Sequence, residues 1–342
     1  MKIIVVSAYT LTARVLGEWL LSPWTASLWK VRAFGNNLRI NGKAVFMLEE
    51  AVNFLRLFFC ADMYKKNGMI LCESCHFSVL LFGKYVRFLG IHKRLYLFNF
   101  FLHDLGSSEI VQKILKFLLN QDVAMMAFSS SERDYFKKLA FNADIRFVPW
   151  GGEPGHEIDP LQIKRGDYIF AGGYSNRDYD LLIRCARKFP RQRFIIVCSR
   201  RNGITETAPP NVEIHKEISP KEFHMLLAGS MATVIPLKNN VGASGQMAAL
   251  AAMEFGKPTI YADLDVISQY FENGKSGLKY EVGNAESLMA ALSLLLEDQS
   301  AREKLGKRAF FCWERAFKGD RMAQAIADHL ADFMGVALQK PD

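Results

Sequence analysis

The sequence of 342 residues lacks the long apolar run that a membrane-spanning helix requires. Such a helix takes about 20 consecutive, mostly apolar residues, and no stretch of this chain approaches that length. Its first segment, MKIIVVSAYT, also lacks the basic residues and the extended apolar core of a secretion signal. These two absences predict a cytoplasmic protein without a transmembrane anchor.

The chain also lacks the paired cysteines of a disulfide framework or a zinc site. Its six cysteines are scattered and mostly adjoin apolar residues, as reduced and partly buried thiols do. Residues 72–76, CESCH, have the C-x-x-C-H spacing of covalent haem attachment, and C-x-x-C also serves in zinc and redox sites. No second cysteine pair completes a zinc set, so we expect a structural role. We predict no metal and no other cofactor.

Acidic residues are scarce in the first half of the chain. Residues 1–150 hold 19 Lys or Arg against 11 Asp or Glu, whereas the remainder holds 24 of each kind. The whole net charge of +8 therefore lies in the first half. This asymmetry indicates contact with an anionic membrane surface, a lipid-linked phosphate or nucleic acid, and a basic solvated face is the alternative.

What the chain does contain is a series of short apolar runs between amphipathic segments. Strands that are apolar on both faces are typical of parallel sheets covered by helices. Half of the residues are apolar, which is enough for two ordinary cores and predicts an α/β protein of two domains. The predicted strands are residues 3–6, 69–71, 95–98, 123–128, 168–171, 194–198, 233–236 and 259–261.

One segment interrupts this alternation of strands and helices. Residues 151–160, GGEPGHEIDP, contain three glycines and two prolines, and a polar stretch follows them. We therefore predict a first domain over residues 1–150, a linker over 151–166 and a second domain over 167–315. Residues 316–342 are predicted as a C-terminal helix that packs back on the first domain.

The most informative segment is residues 236–260, PLKNNVGASGQMAALAAMEFGKPTI. A buried strand ends at its start, and the small residues 242–245 then form a loop that lets the backbone approach a ligand closely. Ser244 is a candidate N-cap for the helix that follows. The free amides and the positive end of that helix favour an anion such as a pyrophosphate.

Four segments in the second half, taken in order, resemble the nucleotide-binding domain of GT-B glycosyltransferases of the GT4 type. Beside residues 236–260 they are FAGGYSNRDYDLLIRCARKFPRQRFIIVCS (170–199), NVEIHKEISPKEFHMLLAGSMATVIPL (211–237) and MEFGKPTIYADLDVISQYFENGKSGLKYEVGNAESLMAALSLLLED (253–298). The resemblance implies a GT-B fold, in which two Rossmann-like, doubly wound parallel-sheet domains face a cleft. It also implies transfer of a sugar from a nucleotide diphosphate sugar.

The resemblance implies a donor site at the loops of the second domain. A departing diphosphate carries negative charge, which preorganised donors or cations must stabilise. Arginine suits this task because its planar guanidinium group can donate two parallel hydrogen bonds to a phosphate. The alternative role of Arg177 is a surface ion pair with Asp178 or Asp180. The predicted diphosphate contacts are Arg177, Lys238, Gly242, Ser244, Gly245 and Gln246, beside a glycine turn at Gly172 and Gly173. The backbone of the loop formed by Lys216, Glu217 and Ile218 would bind the nucleobase. The sequence therefore does not identify the base.

This chain departs from the family at two carboxylates. Family members commonly carry two glutamates, eight residues apart, that bind the donor sugar and the ribose, and Ala243 and Ala251 stand at these positions. Glu254 lies one turn beyond Ala251 on the same helix face and is a candidate ribose ligand, with an exposed helical glutamate as the alternative. The departure leaves the donor and the retention or inversion of the anomeric centre open.

The first half resembles the family mainly through LYLFNFFLHDLG at residues 95–106. The family often places a His-Asp pair facing the donor sugar just beyond this strand, so His103 and Asp104 are the candidate catalytic residues. His103 has a reference pKa near neutrality and suits hydrogen bonding to a sugar hydroxyl or proton transfer; a helix cap is its alternative role. Arg14 is a candidate contact to a phosphate of the acceptor.

Two further patterns concern metals and membranes. Residues 263–265 have the Asp-x-Asp form that binds a metal in the other major glycosyltransferase fold, but they follow a strand and are expected to begin a helix. The segments 51–60 and 77–89 combine large apolar residues with Arg56, Lys84 and Arg87, as helices lying in a lipid headgroup layer do. Covering a parallel sheet is the alternative role of these two helices.

We therefore predict a metal-independent glycosyltransferase of the hexosyltransferase class, active in polysaccharide or glycolipid biosynthesis. Its acceptor would be a glycan or a lipid-linked sugar at the cytoplasmic membrane face, with an anionic membrane surface as a further partner. A nucleotide-sugar 2-epimerase of the same fold and a degenerate, non-catalytic GT-B subunit are the alternatives. Nucleic acid is not expected as a partner, because it would explain the charge alone.

Overall fold

The computed structural model describes residues 2–7, 30–35, 55, 59, 68–73, 77–91, 94–98, 109–119, 123–139, 143–155, 158–239 and 244–335. The chain divides into two compact units. Unit 1 comprises Met1–Pro149 and Ala323–Asp342, and unit 2 comprises Trp150–Met322. Each unit is built on one six-stranded sheet in which every described strand pairing is parallel.

The sheet of unit 1 has the strand order β2-β1-β3-β4-β5-β6. The strands are β1 (Lys2–Ser7), β2 (Lys30–Gly35), β3 (Gly68–Glu73), β4 (Arg94–Phe98), β5 (Val123–Ala127) and β6 (Asp144–Phe147). The described helices are α1 (Phe77–Phe88), α2 (Glu109–Leu118) and α3 (Ser130–Leu139). All five residues of β5 are buried, as expected of a strand covered on both faces.

The sheet of unit 2 has the strand order β12-β11-β10-β7-β8-β9. The strands are β7 (Tyr168–Gly172), β8 (Arg193–Cys198), β9 (Val212–Lys216), β10 (Ala232–Ile235), β11 (Thr259–Ala262) and β12 (Leu278–Tyr280). The chain starts in the middle at β7, runs outward to β9, returns to β10 on the other side of β7 and continues outward. This doubly wound order places a topological switch point between β7 and β10, where open α/β sheets bind their ligands.

Six helices and three short helical turns complete the description of unit 2. The helices are α4 (Tyr179–Ala186), α5 (Pro220–Gly229), α6 (Gln246–Glu254), α7 (Asp265–Ser268), α8 (Ala285–Glu297) and α9 (Gln299–Cys312). The turns are the 3₁₀ segments Pro160–Gln162 and Arg200–Asn202 and the π-helical segment Trp313–Phe317. Helix α10 (Gly319–Met334) begins in unit 2, and its residues from Ala323 onward belong to unit 1.

The segment predicted as a linker packs within unit 2. The backbone N–H of Gly152 donates to the carbonyl of Phe317 (2.9 Å), and the Trp313 indole N–H donates to the carbonyl of Gly152 (2.9 Å). Both bonds tie the start of unit 2 to its π-helical turn.

The C-terminal part of α10 is fixed within unit 1 by buried polar contacts. His329 is fully buried, its Nδ1 lies 2.9 Å from the hydroxyl of Tyr96, and its Nε2 lies 3.3 Å from Oδ2 of Asp144. Nearby, Nη1 of Arg146 donates to Oδ2 of Asp332 (2.8 Å). Burial lowers the pKa of His329 to about 4, against the opposing effect of Asp144, so the imidazole is neutral at pH 7.

All eight strands predicted from apolar runs are present, and β9 occupies the position of the short strand implied by the resemblance. Strands β2, β6 and β12 were not predicted, because their sequences KVRAFG, DIRF and LKY contain charged residues and no continuous apolar run. The predicted helix over residues 77–89 is present as α1.

Candidate functional site

The candidate site lies at the switch point of unit 2, where the loops after β7 and β10 are joined by hydrogen bonds. The backbone N–H of Asp178 donates to the carbonyl of Pro236 (2.7 Å), and that of Lys238 donates to the carbonyl of Asn176 (3.3 Å). The side-chain amide of Asn176 also donates to the carbonyl of Asn239 (2.7 Å). These bonds fix the position of Lys238, whose side chain is exposed, relative to the loop that follows β7.

The predicted glycine turn ends β7, and neither of its glycines has room for a Cβ atom unless neighbouring side chains move. Gly173 has φ of 141°, and a Cβ atom there would overlap the guanidinium of Arg177. A Cβ atom on Gly172 would overlap the ring of Phe223. The backbone of the turn therefore rests directly on the side chains of Arg177 and Phe223.

Arg177 is a buried cation beneath this turn. Its side chain is only 5% exposed; Nε donates to the carbonyl of Gly172 (3.3 Å) and Nη1 donates to that of Ser175 (2.7 Å). Burial lowers the pKa of Arg177, against the opposing effects of Tyr179 and Tyr280. Within the part of the chain that the structure describes, no carboxylate forms an ion pair with it. A buried cation without a counter-ion directs positive potential at its surroundings, which here include the switch point.

The alternative role of Arg177, a surface ion pair with Asp178 or Asp180, is wrong. Asp178 is the N-cap of α4, and its side chain accepts from the backbone N–H of Leu181 (3.1 Å). Asp180 accepts from the backbone N–H groups of Thr205 (3.0 Å) and Glu206 (2.9 Å). Both carboxylates are engaged by other groups, whereas a contact of Arg177 with a phosphate stays a prediction.

Helix α6 begins at the same edge of the sheet, with a cap that differs from the predicted one. Gly245 is the N-cap, with φ of 88° and no capping side chain, so the prediction that Ser244 caps this helix is wrong. The helix begins one residue later than predicted, at a left-handed backbone that glycine adopts readily and where an added Cβ would lie 3.2 Å from Cγ2 of Ile235. Ser244 and Gln246 are both 4% exposed.

The start of α6 has the electrostatics of an anion site. The first turn of this helix contains no acidic side chain, so the positive end of the helix dipole is not neutralised locally. Backbone N–H groups at such a helix start bind phosphate and carboxylate groups. The predicted contacts Ser244, Gly245 and Gln246 therefore lie where an anion would be stabilised, and Gly242 lies outside the described residues.

The predicted nucleobase loop is held between two other loops of the same sheet edge. Glu217 has a left-handed backbone with φ of 56°; its N–H donates to the carbonyl of Cys198 (3.1 Å), and its Oε1 accepts from the N–H of Arg200 (2.8 Å). The hydroxyl of Tyr174 donates to the carbonyl of Ile218 (3.3 Å). Lys216 is the last residue of β9, so residues 216–218 adjoin both the loop after β8 and the glycine turn.

Tyr174 is a candidate site residue that sequence reasoning missed. It directly follows the glycine pair, it is 45% exposed, and it joins the glycine turn to the base loop. An exposed aromatic ring at this position suits stacking on a ligand ring. The signal was present in the motif GGYSNRDYD, as an aromatic residue next to a glycine turn, but the sequence alone does not show its partner.

Glu254 lies away from these groups. It ends α6, about 12 Å along the axis from Gln246 at 1.5 Å per residue. Its Oε2 accepts from the backbone N–H of Gly155 (2.7 Å), a residue 99 positions earlier in the chain. The structure therefore places this carboxylate in a packing contact and not beside the switch point. Ala251, at one of the two positions where the family carries a glutamate, is fully buried in a hydrophobic cluster.

The remaining site predictions fall on other parts of the chain. The candidates His103, Asp104 and Arg14 lie outside the described residues. Asp263 pairs with Lys279 (2.9 Å), and Asp265 stands in the first turn of α7, as predicted for a helix start. Among the described residues, no three His, Cys, Asp or Glu side chains lie together as metal ligands would.

Residues 176–310 match the family Glycosyl transferases group 1. The match begins at Asn176 and contains Arg177, the base loop and α6, so most of the candidate site lies within it. The prediction of a group 1 glycosyltransferase domain is confirmed. No curated protein is similar enough in sequence to be matched.

Solved structures resemble the whole chain at low sequence identity. A sucrose-phosphate synthase from Thermosynechococcus elongatus has a TM-score of 0.74 at 14% identity, over 98% of this chain and 100% of that one. The Anabaena protein HepE in complex with UDP and glucose has a TM-score of 0.67 at 15% identity, over 97% and 100%. A glycosyltransferase from Rickettsia africae has a TM-score of 0.68 at 11% identity, over 98% and 99%. At these identities the similarity establishes the fold, which is GT-B, and together with the family match it supports a transferase enzyme.

Proposed function

We propose that this protein, whose unit 2 carries a group 1 glycosyltransferase domain, transfers a sugar from a nucleotide diphosphate sugar to a glycan or a lipid-linked acceptor. The observation that carries the proposal is the position of the candidate anion site inside the matched region. Arg177, the glycine turn just before the matched region and the start of α6, which has no capping side chain, lie around one switch point, where Leu237 adjoins both Arg177 and Gly245. That combination of groups suits a diphosphate better than a neutral ligand.

In the proposed mechanism, unit 2 stabilises the leaving diphosphate. The N–H groups at the start of α6, from Ser244 to Gln246, and the loop residue Gly242 would donate to the phosphates. Arg177 would add a fixed positive charge beneath the glycine turn, and Lys238 would add a mobile one at its rim. These groups are held in place before the reaction. They would therefore stabilise the charge that develops in the transition state without having to move.

The nucleoside would lie along the edge formed by the glycine turn and residues 216–218. Backbone groups of this loop would bind the base, and the ring of Tyr174 would stack against the base or the ribose. Glu254 is not part of the proposed site, because its carboxylate is bound to Gly155. The structures of HepE contain UDP and UDP-glucose, so UDP-glucose is the first donor to test.

The acceptor side is assigned to unit 1 because residues 1–150 carry the whole net charge. A lipid-linked acceptor at the cytoplasmic membrane face would present a phosphate or diphosphate that attracts this basic half. His103 and Asp104 are the proposed groups at the donor sugar, and Arg14 is the proposed contact to the acceptor phosphate. The reaction is proposed to be independent of metal, since the cationic groups of unit 2 would balance the diphosphate charge.

The proposal is tested by calorimetric titration of UDP-, GDP- and dTDP-sugars into the full chain, followed by a transfer assay with and without EDTA. We expect one class of donor to bind and its sugar to be transferred only when an acceptor is present, with or without EDTA. Turnover of the donor without an acceptor would indicate an epimerase instead. Failure to bind any of these donors would indicate a degenerate subunit, the alternative that the alanines at 243 and 251 favour.

A further inference from the structure

Helices α1 and α2 of unit 1 expose large apolar side chains that the core does not use. Their exposed fractions are 50% for Leu81, 89% for Phe88, 70% for Ile110, 44% for Ile114 and 68% for Phe117. We call these five residues the α1–α2 patch. Single exposed apolar residues are ordinary on a protein surface, but a cluster of this kind marks a surface that contacts a partner.

The spacing of these residues places them on one face of each helix. Ile110, Ile114 and Phe117 follow the i, i+4, i+7 pattern of α2, while Leu115 and Leu118 on its other face are buried. Both helices therefore have two apolar faces, of which only one covers the sheet. The alternative role predicted from the sequence, covering a parallel sheet, accounts for one face of α1 and leaves the exposed one unexplained.

The exposed faces of the two helices form one continuous surface. Leu81 and Phe88 are two turns apart on α1, and Lys84 stands between them on the same face. The Nζ atom of Lys84 lies 4.9 Å from the centre of the Phe117 ring of α2, within the range of a cation–π contact.

The charged side chains around the α1–α2 patch are mostly positive. The two helices contain Lys84, Arg87, Lys113 and Lys116 against the single carboxylate of Glu109. Lys113 and Lys116 are exposed beside the apolar face of α2. An apolar centre with a lysine rim is the pattern of a helix that lies in the boundary between lipid headgroups and acyl chains.

We infer that the α1–α2 patch docks on an anionic lipid surface. The apolar side chains enter the headgroup boundary, and the four cations contact lipid phosphates. The charge selects this partner over a second copy of the chain, because two such patches facing each other would bring like charges together. Among the described residues, no helix is long and apolar enough to cross a bilayer. The inference rests on the proposed function in one respect, since it supplies the route to a lipid-linked acceptor.

The test is co-sedimentation of the full chain with vesicles of phosphatidylcholine and phosphatidylglycerol, compared with vesicles of phosphatidylcholine alone. The wild-type chain is expected to bind the anionic vesicles more tightly, with affinity that falls as salt is added. The double variant Phe88→Ser/Phe117→Ser should bind at least tenfold more weakly. Its control is Leu161→Ser/Leu294→Ser, which removes two exposed leucines of unit 2 and should leave vesicle binding unchanged.

The charge contribution is tested separately with a matched pair of lysine variants. Lys113→Gln/Lys116→Gln should weaken binding to anionic vesicles by about 25-fold, since each lysine near an anionic surface contributes about fivefold. Lys304→Gln/Lys307→Gln has the same spacing on an exposed face of α9 in unit 2 and should have little effect. Equal losses in the two lysine variants would show that total charge, and not this patch, attracts the vesicles, and would overturn the inference.

Two further outcomes would also overturn it. Equal vesicle binding by the wild type and by Phe88→Ser/Phe117→Ser would exclude the apolar faces as the contact. A wild-type dimer in sedimentation velocity that this variant dissociates, without vesicle binding, would assign the patch to a second copy of the chain. Donor titration of the wild-type chain keeps the two proposals apart: a wild-type chain that binds a donor but not the anionic vesicles contradicts the membrane surface alone, and one that binds the vesicles but no donor contradicts the proposed transferase alone.

Discussion

Units 1 and 2 share an architecture of six parallel strands, and they present very different surfaces. Residues 151–342 are balanced in charge, with exposed ion pairs such as Arg193–Glu213 (2.7 Å) and Lys279–Asp263 (2.9 Å). Residues 1–150 hold the net charge, and two of their helices expose apolar faces. We propose that the same type of sheet serves a small anion at a switch point in unit 2 and a larger anionic surface in unit 1.

The comparison predicts that damage to one unit leaves the other intact. Among the variants of the donor site, the largest effect on donor binding is expected at Gly173. The variant Gly173→Ala would place a Cβ on the guanidinium of Arg177 at a backbone φ that alanine avoids. Because a displacement of about 1 Å in an active site costs about a hundredfold in rate, we expect sugar transfer to slow by about that factor and donor affinity in calorimetry to fall with it. Vesicle binding by unit 1 should not change.

The control for Gly173→Ala is Gly203→Ala. Gly203 also has positive φ, at 58°, but no atom lies within 4 Å of a Cβ built there. This variant carries backbone strain without the overlap and should keep most of its donor affinity. A similar loss in both variants would assign the effect to strain in unit 2 and contradict the account of the turn.

The second prediction concerns acid stability and should be confined to unit 1. The pKa of His329 is about 4 in the folded chain and near 6.5 in the unfolded chain, so the unfolded chain binds more protons between these values. The stabilising contribution is present above pH 6.5 and is lost as the pH falls toward 4. A shift of this size corresponds to about 3 kcal/mol of the free energy of unfolding.

The measurement for His329 is denaturant unfolding of the wild type and of His329→Gln across pH 4 to 7. The difference between the two proteins should decrease as the pH falls, because the variant has no imidazole to protonate. Taking the difference also cancels other groups, such as Glu132, whose pKa burial raises to about 7. A difference that does not depend on pH would contradict the buried neutral state of His329.

The third prediction uses Arg177→Lys to separate charge from geometry in unit 2. Lysine keeps the cation but loses the fork that binds the carbonyls of Gly172 and Ser175, so we expect about a tenfold loss of donor affinity. The control is Arg184→Lys on the exposed side of α4, where the arginine pairs with Glu206 at 3.3 Å. Its effect should be within error, and thermal melting of both variants would show that unit 2 stays folded.

The smallest effect is expected for Tyr174→Phe. This variant keeps the ring and removes only the hydrogen bond to the carbonyl of Ile218, which we expect to reduce donor affinity about fivefold. Tyr174→Ala, which also removes the ring, should reduce it further. The same Tyr→Phe change at Tyr135 in unit 1 should leave donor affinity unchanged, and unchanged affinity in both Tyr174 variants would remove this residue from the proposed site.

Regular strands could be predicted from the sequence more fully than contacts between loops. Strands such as β5 and β8 could be predicted because burial on both faces imposes continuous apolar runs. Strand β12 could not, because three residues with a central lysine carry no such pattern. Apolar patterning thus reports burial, and edge strands with partly exposed residues escape it.

In the candidate site, the residue types were predictable and their partners were not. The glycine turn and the helix after residue 245 follow from local sequence. The burial of Arg177 depends on how the turn folds over it, and the cap of α6 depends on the left-handed backbone of Gly245. Glu254 contacts Gly155, 99 residues away, which no local pattern encodes.

The central claim is that the start of α6 in unit 2 binds the diphosphate of a nucleotide sugar. A crystal structure of the full chain with bound UDP-glucose, or with the donor that calorimetry selects, tests it most directly. The account predicts phosphate oxygens about 3 Å from the backbone nitrogens of Gly245 and Gln246, next to the glycine turn. A diphosphate bound elsewhere on unit 2, or on unit 1, would contradict it.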